Sequence, residues 1–509
     1  MKSILGPARL PLPVLGAILL LSTPALAQAP LQNFGPFIEQ TRREWNVPGV
    51  AVAVVKDDKI VFIQGYGVRT QGQPAAVDAN TAFQLASVTK TFTAAALGTL
   101  VDEGKLGWDD PILNYLPGFA MHDPYATLHT SARDLLAHRS GLPAFGGDLL
   151  NELGYTRAEV VRRLRLIEPA GSFRERAGYS NLGFTLAGTL AGQVAGSSWE
   201  AVVRSRLLDP LGMTRTRVVA AELKSDPNAA TPHLSRPAGP VPMTTREGDG
   251  AFGPAGAMSS SANDMATWIR MLLAGGSLGG KQVLRPETVK ELFQPTMVSE
   301  ITFSESPPIN ENTGFDYTLG WASYAYNGRK VIEKGGALAG VRSVVTLVPS
   351  EHLGVVVLAN LNLTLLPEVI RAWVLESYLG PAGRDLGAEF RQQRAALAQL
   401  LAAVNAPPTT PAPFTRSPDA YVGVYENELY GRLAVVREGS GLAVKAGPAC
   451  YQGNLQHEGH DAFALGWPRP NSLPGTAIFA FDANGKVVSL LTEDDGVFMR
   501  VESNARDCR

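Results

Sequence analysis

Two β-rich runs near the start of the chain, Val50–Val55 and Lys59–Gln64, flank a polar Asp57-Asp58 turn and predict a hairpin. Helical segments and loops then dominate from Ala82 to about Leu273 before strands return. "FDYTLGWASYAYNGRKVIEKGG" and "VRSVVTLVPSEHLGVVVLANL" read as an antiparallel meander, with Pro349–His352 as one turn. "PEVIRAWVLESYL" follows as an amphipathic helix. Strands from both ends therefore bracket a helical middle. The economical solution is an α+β unit: one antiparallel sheet built from N- and C-terminal parts, flanked by helices, with a helical subdomain inserted. This unit is expected over residues 31–405. A second amphipathic helix, about Ala388–Val404, leads into "NAPPTTPAPFTRSP", a semi-rigid Pro-rich linker placed at 406–418. Residues 419–509 then change character, to short strands such as "RLAVVRE", "GLAVKAG", "AIFAFDA" and "GVFMRVE" with regular turns and no helix. They predict a small antiparallel barrel or sandwich.

Composition limits the function. With 45% hydrophobic and 18% charged residues the chain is an ordinary globular one, and at net charge −2 it has no basic stripe to hold nucleic acid. The N-terminus reads as a signal peptide over 1–27. Lys2 and Arg9 precede the apolar "LPLPVLGAILLL", and Ala25-Leu26-Ala27 is a small-residue cleavage site. That apolar run is shorter than the ~20 residues a bilayer span needs. No cysteine near it offers a lipid anchor, and no later segment is long and apolar enough to span. A periplasmic or secreted protein without a stable membrane anchor is expected. Cys450 and Cys508 either pair in that oxidising compartment or stay as two thiols, since sequence does not measure their separation.

Three short stretches carry chemistry. In "FQLASVTKTFTAAALGTL" Ser87 and Lys90 lie three apart at the head of an Ala-rich, apolar helix, so both side chains share one face. A serine hydroxyl needs a base to become nucleophilic, and a lysine whose pKa is lowered by burial and nearby cations supplies one. Chance also produces Ser-x-x-Lys, but no other lysine here has a serine three before it, and these surroundings are apolar. Second, Tyr179-Ser180-Asn181 precedes an apolar helix. A tyrosine among cations can shuttle a proton and an amide can hold a lysine, although ring packing and helix capping also account for these residues. Third, "VIEKGGALAG" ends a β run in Lys334-Gly335-Gly336. Paired glycines there mark close approach by a ligand or another backbone, or else a bulge carrying a solvated lysine.

Taken together, Ser87-x-x-Lys90, Tyr179-Ser180-Asn181 and Lys334-Gly335-Gly336 resemble the motif set of the penicillin-recognising serine hydrolases: serine β-lactamases, D,D-peptidases and their esterase relatives. Tyrosine in the second motif resembles the class C branch, as do "VPGVAVAVV", "DLLAHRSGLP" and "PAGAMSSSANDMATW". The resemblance covers about residues 35–380. It implies that Ser87 is acylated, that Lys90 and Tyr179 share the base and acid roles, and that Asn181 positions Lys90 and the substrate amide. It also implies that Lys334 supplies positive potential, and that the N–H groups of Ser87 and Ala337, beyond Gly336, form the oxyanion hole. The expected substrate is a small molecule or peptide: a D-amino-acid peptide, a β-lactam or a small carboxylic ester, with no metal or organic cofactor. Gly335 departs from the family's usual Thr or Ser, whose hydroxyl meets a substrate carboxylate. The departure favours an esterase or peptidase over an efficient β-lactamase, with Lys334 and Arg342 as remaining carboxylate ligands. A penicillin-binding sensor or scaffold that acylates without turnover is the alternative. "YVGVYENELYGRLAVV" and "HEGHDAFAL" look like the lipocalin-like barrel appended to some members, which implies a role in access to the cleft or in homo-oligomer assembly.

Rival sites are weaker. Gly275-Gly276-Ser277-Leu278-Gly279 fits a nucleophile-elbow pattern, but an amphipathic helix opened by Ser261 and Asp264 precedes it, so the glycines read as a helix stop. His457 and His460 have metal-like spacing without partners and read as a surface loop. His138 reads as structural packing, and "VVRRLRL" as the solvated face of a helix.

Overall fold

The computed structural model describes residues 30–502 apart from 244–249, 300–314, 382, 384, 405–411, 415, 469–473 and 494. The signal peptide, most of the Pro-rich linker and Cys508 lie outside the described residues. Cys450 is disulfide-bonded.

The main sheet is antiparallel. Its strands run in the order Lys59–Gly67, Gly49–Lys56, Leu353–Ala359, Val341–Val348, Arg329–Leu338, Ala322–Tyr326, Phe315–Tyr317 and Met297–Ser299. The closing pair joins the two ends of the unit: Gly49–Lys56 lies against Leu353–Ala359, from Val50 opposite Ala359 to Lys56 opposite Leu353. The apolar run "GVAVAVV" is buried on both faces, as a strand between two helical layers must be. Alternate residues serve the two layers. Val50, Val52 and Val54 join Phe34, Ile38, Ile370 and Val374 on one face. Ala51, Ala53 and Val55 join Met265 and Ile269, and with them the helical middle, on the other.

Three helices of that middle matter for the site. Thr89–Asp102 is buried along nearly its whole length, which its Ala- and Thr-rich sequence allows. Asn181–Ala195 starts at the N-cap Ser180, whose Oγ accepts from Gly183 N at 3.0 Å, and ends at Gly196 in the left-handed conformation. Ala262–Leu273 packs on the sheet behind Ser261, and Gly275 and Gly276, both at positive φ, stop it as the sequence predicts.

The C-terminal unit is a closed antiparallel barrel of eight strands from Gly423–Asn427 to Gly496–Val501. Two of them, Tyr451–Gly459 and Ala462–Gly466, are not among the runs read from sequence; in the first the inward residues alternate with Gln452, Asn454 and Gln456, and the second is only five residues long. Aromatic rings fill the interior. Tyr421 lies 4.9 Å from Phe479 and 5.1 Å from Phe463, centroid to centroid. His457 corrects the surface-loop expectation. It is buried on a strand, its ring stacks on Phe414, and its two nitrogens lie at the carbonyls of Ala412 and His460. His460 alone is an exposed turn residue.

Candidate active site

Ser87 occupies a 3-10 turn, Ala86–Val88, that runs directly into helix Thr89–Asp102. The turn is tightly held. Leu85 N donates to Met258 O at 2.8 Å, and the short strand Phe83–Gln84 pairs with Ser259–Ser260. Ala86, just before the serine, is held at φ 50, a conformation that L-residues other than Asn and Asp seldom take.

Four of the residues named from sequence converge here. Lys90 Nζ stands 3.2 Å from Ser87 Oγ, one helical turn on, as the three-residue spacing requires. Tyr179 OH donates to the same Oγ at 2.8 Å. Lys90 Nζ also donates to Asn181 Oδ1 at 2.8 Å and to the carbonyl of Ala255 at 2.9 Å. Lys334 Nζ lies 3.5 Å from Tyr179 OH. The two ammonium groups sit over the tyrosine ring at 4.9 and 4.8 Å. Ser87, Lys90, Tyr179 and Lys334 are all buried, so these charges act with little solvent screening. The solvated-lysine reading of Lys334 does not hold.

Gly336 and Ala337 complete the arrangement. A Cβ at Gly336 would lie 2.2 Å from Leu85 O, 2.4 Å from Ser343 Oγ and 3.1 Å from Ser87 N. The glycine therefore marks close approach by another backbone: strand Arg329–Leu338 is pressed onto the turn that carries Ser87. Ser343 fastens the contact, donating to Leu85 O at 2.8 Å. Ser87 and Ala337 both line the resulting cleft of about 290 Å³, with Phe145, Asp148, Glu152 and Leu338 on its walls.

Arg342, named as a second carboxylate ligand, is elsewhere. It pairs with buried Glu368 of helix Leu366–Leu379, Nη2 to Oε1 at 2.6 Å. Strand alternation turns it to the face opposite Lys334, beside the buried Glu333–Arg371 pair.

Two cleft residues, Asp148 and Phe145, and one buried behind Tyr179, His138, were not named as site residues. Asp148 Oδ2 accepts from Asn181 Nδ2 at 2.7 Å. A carboxylate only accepts, so it fixes the amide with its oxygen toward Lys90. Phe145, in the left-handed region, donates its N–H to Tyr179 O at 2.8 Å and leaves its ring exposed at the cleft mouth. His138 is packed, as expected, but packed against Tyr179, ring to ring at 4.5 Å, and its Nδ1 accepts from Ser180 N at 3.1 Å. Burial, with the charges of Lys334 and Lys90, holds its pKa well below the ordinary histidine value, so it is neutral.

Residues 36–378 match the family model Beta-lactamase, and residues 407–506 match a domain of unknown function, DUF3471. Unguisins hydrolase ungD of Aspergillus violaceofuscus is 27% identical over 452 residues, covering 82% of this chain and 78% of that protein. Protein flp of Staphylococcus aureus is 26% identical over 345 residues, covering 67% and 65%. Among solved structures, the octameric penicillin-binding protein homologue from Pyrococcus abyssi superposes with a TM-score of 0.61 at 22% identity, covering 92% of this chain and 99% of that one. A class C beta-lactamase gives 0.55 at 21% identity, covering 69% and 96%.

Proposed function

From a chain that belongs to the Beta-lactamase family, we propose an exported serine hydrolase that cleaves amide or ester bonds through an acyl-enzyme on Ser87. One observation carries the reading: Tyr179 OH and Lys90 Nζ both reach the same Ser87 Oγ, at 2.8 and 3.2 Å. Ser87 Oγ attacks the substrate carbonyl as its proton passes to the Lys90–Tyr179 pair, which takes it up when one of the two has shed its own proton, Lys90 as the amine or Tyr179 as the phenolate. The carbonyl oxygen takes the negative charge and is met by the N–H groups of Ser87 and Ala337. Lys334 favours the anionic form of Tyr179 and of the tetrahedral intermediate. The pair returns the proton to the leaving amine or alcohol. Water then adds to the acyl-enzyme carbonyl, giving its proton to the same pair; the tetrahedral intermediate collapses with cleavage of the acyl–Oγ bond, Ser87 Oγ takes that proton back, and the acid product departs.

A peptide amide or carboxylic ester fits better than a β-lactam. Gly335 offers no hydroxyl to a substrate carboxylate, and Arg342 is engaged with Glu368. The loss of a hydrogen bond to a charged group weakens binding by about 1.5–3 kcal/mol. Unguisins hydrolase is by its name a hydrolase, which supports turnover over a silent acylation sensor.

The test is a panel of a chromogenic cephalosporin, nitrophenyl esters and D-Ala-terminated peptides, run beside a fluorescent penicillin with intact mass. Ser87→Ala is expected to abolish turnover and adduct alike. Full activity of that variant on every substrate would refute the mechanism, and a penicillin adduct that persists without turnover of anything else would favour the sensor.

Export rests on the N-terminal sequence; no helix among the described residues is long and apolar enough to cross a membrane. Assembly through the barrel is supported by its exposed outer face. Ile478, Leu491 and Val497 are cross-strand neighbours there, and the Pyrococcus homologue is described as octameric. Light scattering is expected to show an oligomer that Leu491→Glu dissociates.

A further inference from the structure

The barrel touches the hydrolase unit at one rim of the cleft. The segment from Asp148 to Tyr155 comprises the short helix Leu149–Glu152 and the turn after it. Its first residue, Asp148, holds the Asn181 amide at 2.7 Å, and Asp148, Asn151 and Glu152 all line the cleft. Its last residues, Leu153, Gly154 and Tyr155, belong to the barrel interface. Ala449 N donates to Leu153 O at 2.9 Å, and Tyr155 OH donates to Tyr430 O at 3.0 Å. Arg163 covers the Tyr155 ring at 4.2 Å and donates to the carbonyls of Glu428 and Leu429 at 2.8 and 2.6 Å. That arginine is therefore an interface residue, not part of a merely solvated face.

Glycines make the fit possible from both sides. A Cβ on Gly447 would lie 2.5 Å from Leu153 Cβ, and one on Gly154 would lie 2.6 Å from Ala449 Cβ. A Cβ on Gly431 would lie 2.3 Å from Tyr155 OH. All three are at positive φ. Separations this short leave no room for sliding, so the two units meet in one register. The apolar core is continuous across the contact, from Leu150, Leu153 and Tyr155 into Tyr430 and Leu433. The barrel interior is meanwhile filled by its own aromatic rings.

We propose that the barrel is a positioning element of the active site: by clamping Leu153–Tyr155 it places Asp148, and Asp148 holds the Asn181 amide in the orientation that presents its oxygen to Lys90. Gly447, Gly154 and Tyr155 are then positioning residues, acting through Asp148. The proposal rests on the reading of Ser87 and Lys90 as the reacting pair. An amide can face either way, and the wrong way directs an NH₂ group at the lysine. Small misplacements of this kind reduce rates by factors of ten to about a hundred.

The experiment uses the full chain and the Ser87-dependent substrate of the panel above, with p-nitrophenyl acetate as the first probe. Gly447→Ala is expected to lower kcat about tenfold while far-UV circular dichroism stays unchanged. Tyr155→Phe, which keeps the interface shape and loses one hydrogen bond, is expected to lower it about threefold. Asp148→Asn lowers kcat as well, and the decisive reading is the double variant Gly447→Ala/Asp148→Asn. If the clamp acts through Asp148, the double variant is no slower than Asp148→Asn alone. Wild-type kcat in a folded Gly447→Ala, or losses that simply multiply, would overturn the proposal. Should Gly447→Ala fail to fold, the same cycle is run with Tyr155→Phe. Met499→Ser, on the barrel's outer face, is the control and keeps full rate. Activity that survives Ser87→Ala would sink the functional reading itself, whereas Ser87-dependent turnover indifferent to the clamp would sink only this proposal.

Discussion

Gly336 shows how one missing methyl group sets a catalytic geometry. Any side chain there must displace Leu85 O or Ser343 Oγ, and with them the turn that carries Ser87. Gly336→Ala is expected to destabilise the fold by about 1–3 kcal/mol and to reduce activity more than that loss of folded protein explains. Thermal melts beside single-turnover acylation rates measure both. His138 makes a different prediction. Its folded pKa lies well below the unfolded value, so below about pH 6.5 the unfolded chain binds a proton that the folded one does not. Stability therefore falls as pH drops through that window, by up to about 1.4 kcal/mol per pH unit from this group. Replacement by Asn, which keeps an acceptor for Ser180 N, is expected to flatten that part of the melting-temperature profile between pH 5 and about 6.5. Lys90, Lys334 and the rings of Tyr179, Tyr317 and Phe184 face it. At this scale the sequence was most informative where chemistry sits in short spacings. Ser87 and Lys90 meet because a helix turn brings them together, and Gly336 is conspicuous in its strand. Asp148 was silent, because its meaning depends on Asn181, which reaches it only in three dimensions.

Strand Arg329–Leu338 works on both faces at once. Lys334 points toward Tyr179 while its neighbour Glu333 points away, where it meets buried Arg371 and accepts from Tyr324 OH at 2.9 Å and Thr346 Oγ1 at 2.7 Å. This buried cluster fixes the strand against helix Leu366–Leu379, and so fixes the height of Lys334 above Tyr179. Glu333→Gln removes the carboxylate that Arg371 directly meets and leaves that buried charge only Glu368, which also pairs with Arg342, and its expected cost is about 3–5 kcal/mol, measurable by urea unfolding. Pattern alone placed the strands of the main sheet except the short edge strand Met297–Ser299, since long apolar runs and turn residues are local signals. It failed for Tyr451–Gly459 and Ala462–Gly466 because in a small barrel the inward residues alternate with polar ones and are few. The same dilution made His457 look like a loop residue. Arg342 was misjudged for a related reason: it lies on the strand next to the cleft, but strand alternation turns it to the far face.

The whole molecule has two units with one uninterrupted apolar core between them. Calorimetry of the wild-type chain is therefore expected to show a single cooperative transition, and Gly447→Ala to separate it into two. Independent melting of the wild-type units would show the contact to be weak. The sheet built from both ends was legible in the order of strands and helices, whereas the barrel's seat was not. It is made of backbone turns and glycines at positive φ, which carry no periodic signature.

The pairing of Gly49–Lys56 with Leu353–Ala359 also has a consequence for biosynthesis. A chain made from its N-terminus presents Ser87 and Lys90 early, while Tyr179 and then Lys334, Gly336 and Ala337 arrive much later. The strand that supplies the last three is seated only when the sheet closes around it. On the proposed mechanism the nascent protein thus carries Ser87 unarmed, and becomes reactive only once nearly all of the hydrolase unit has emerged.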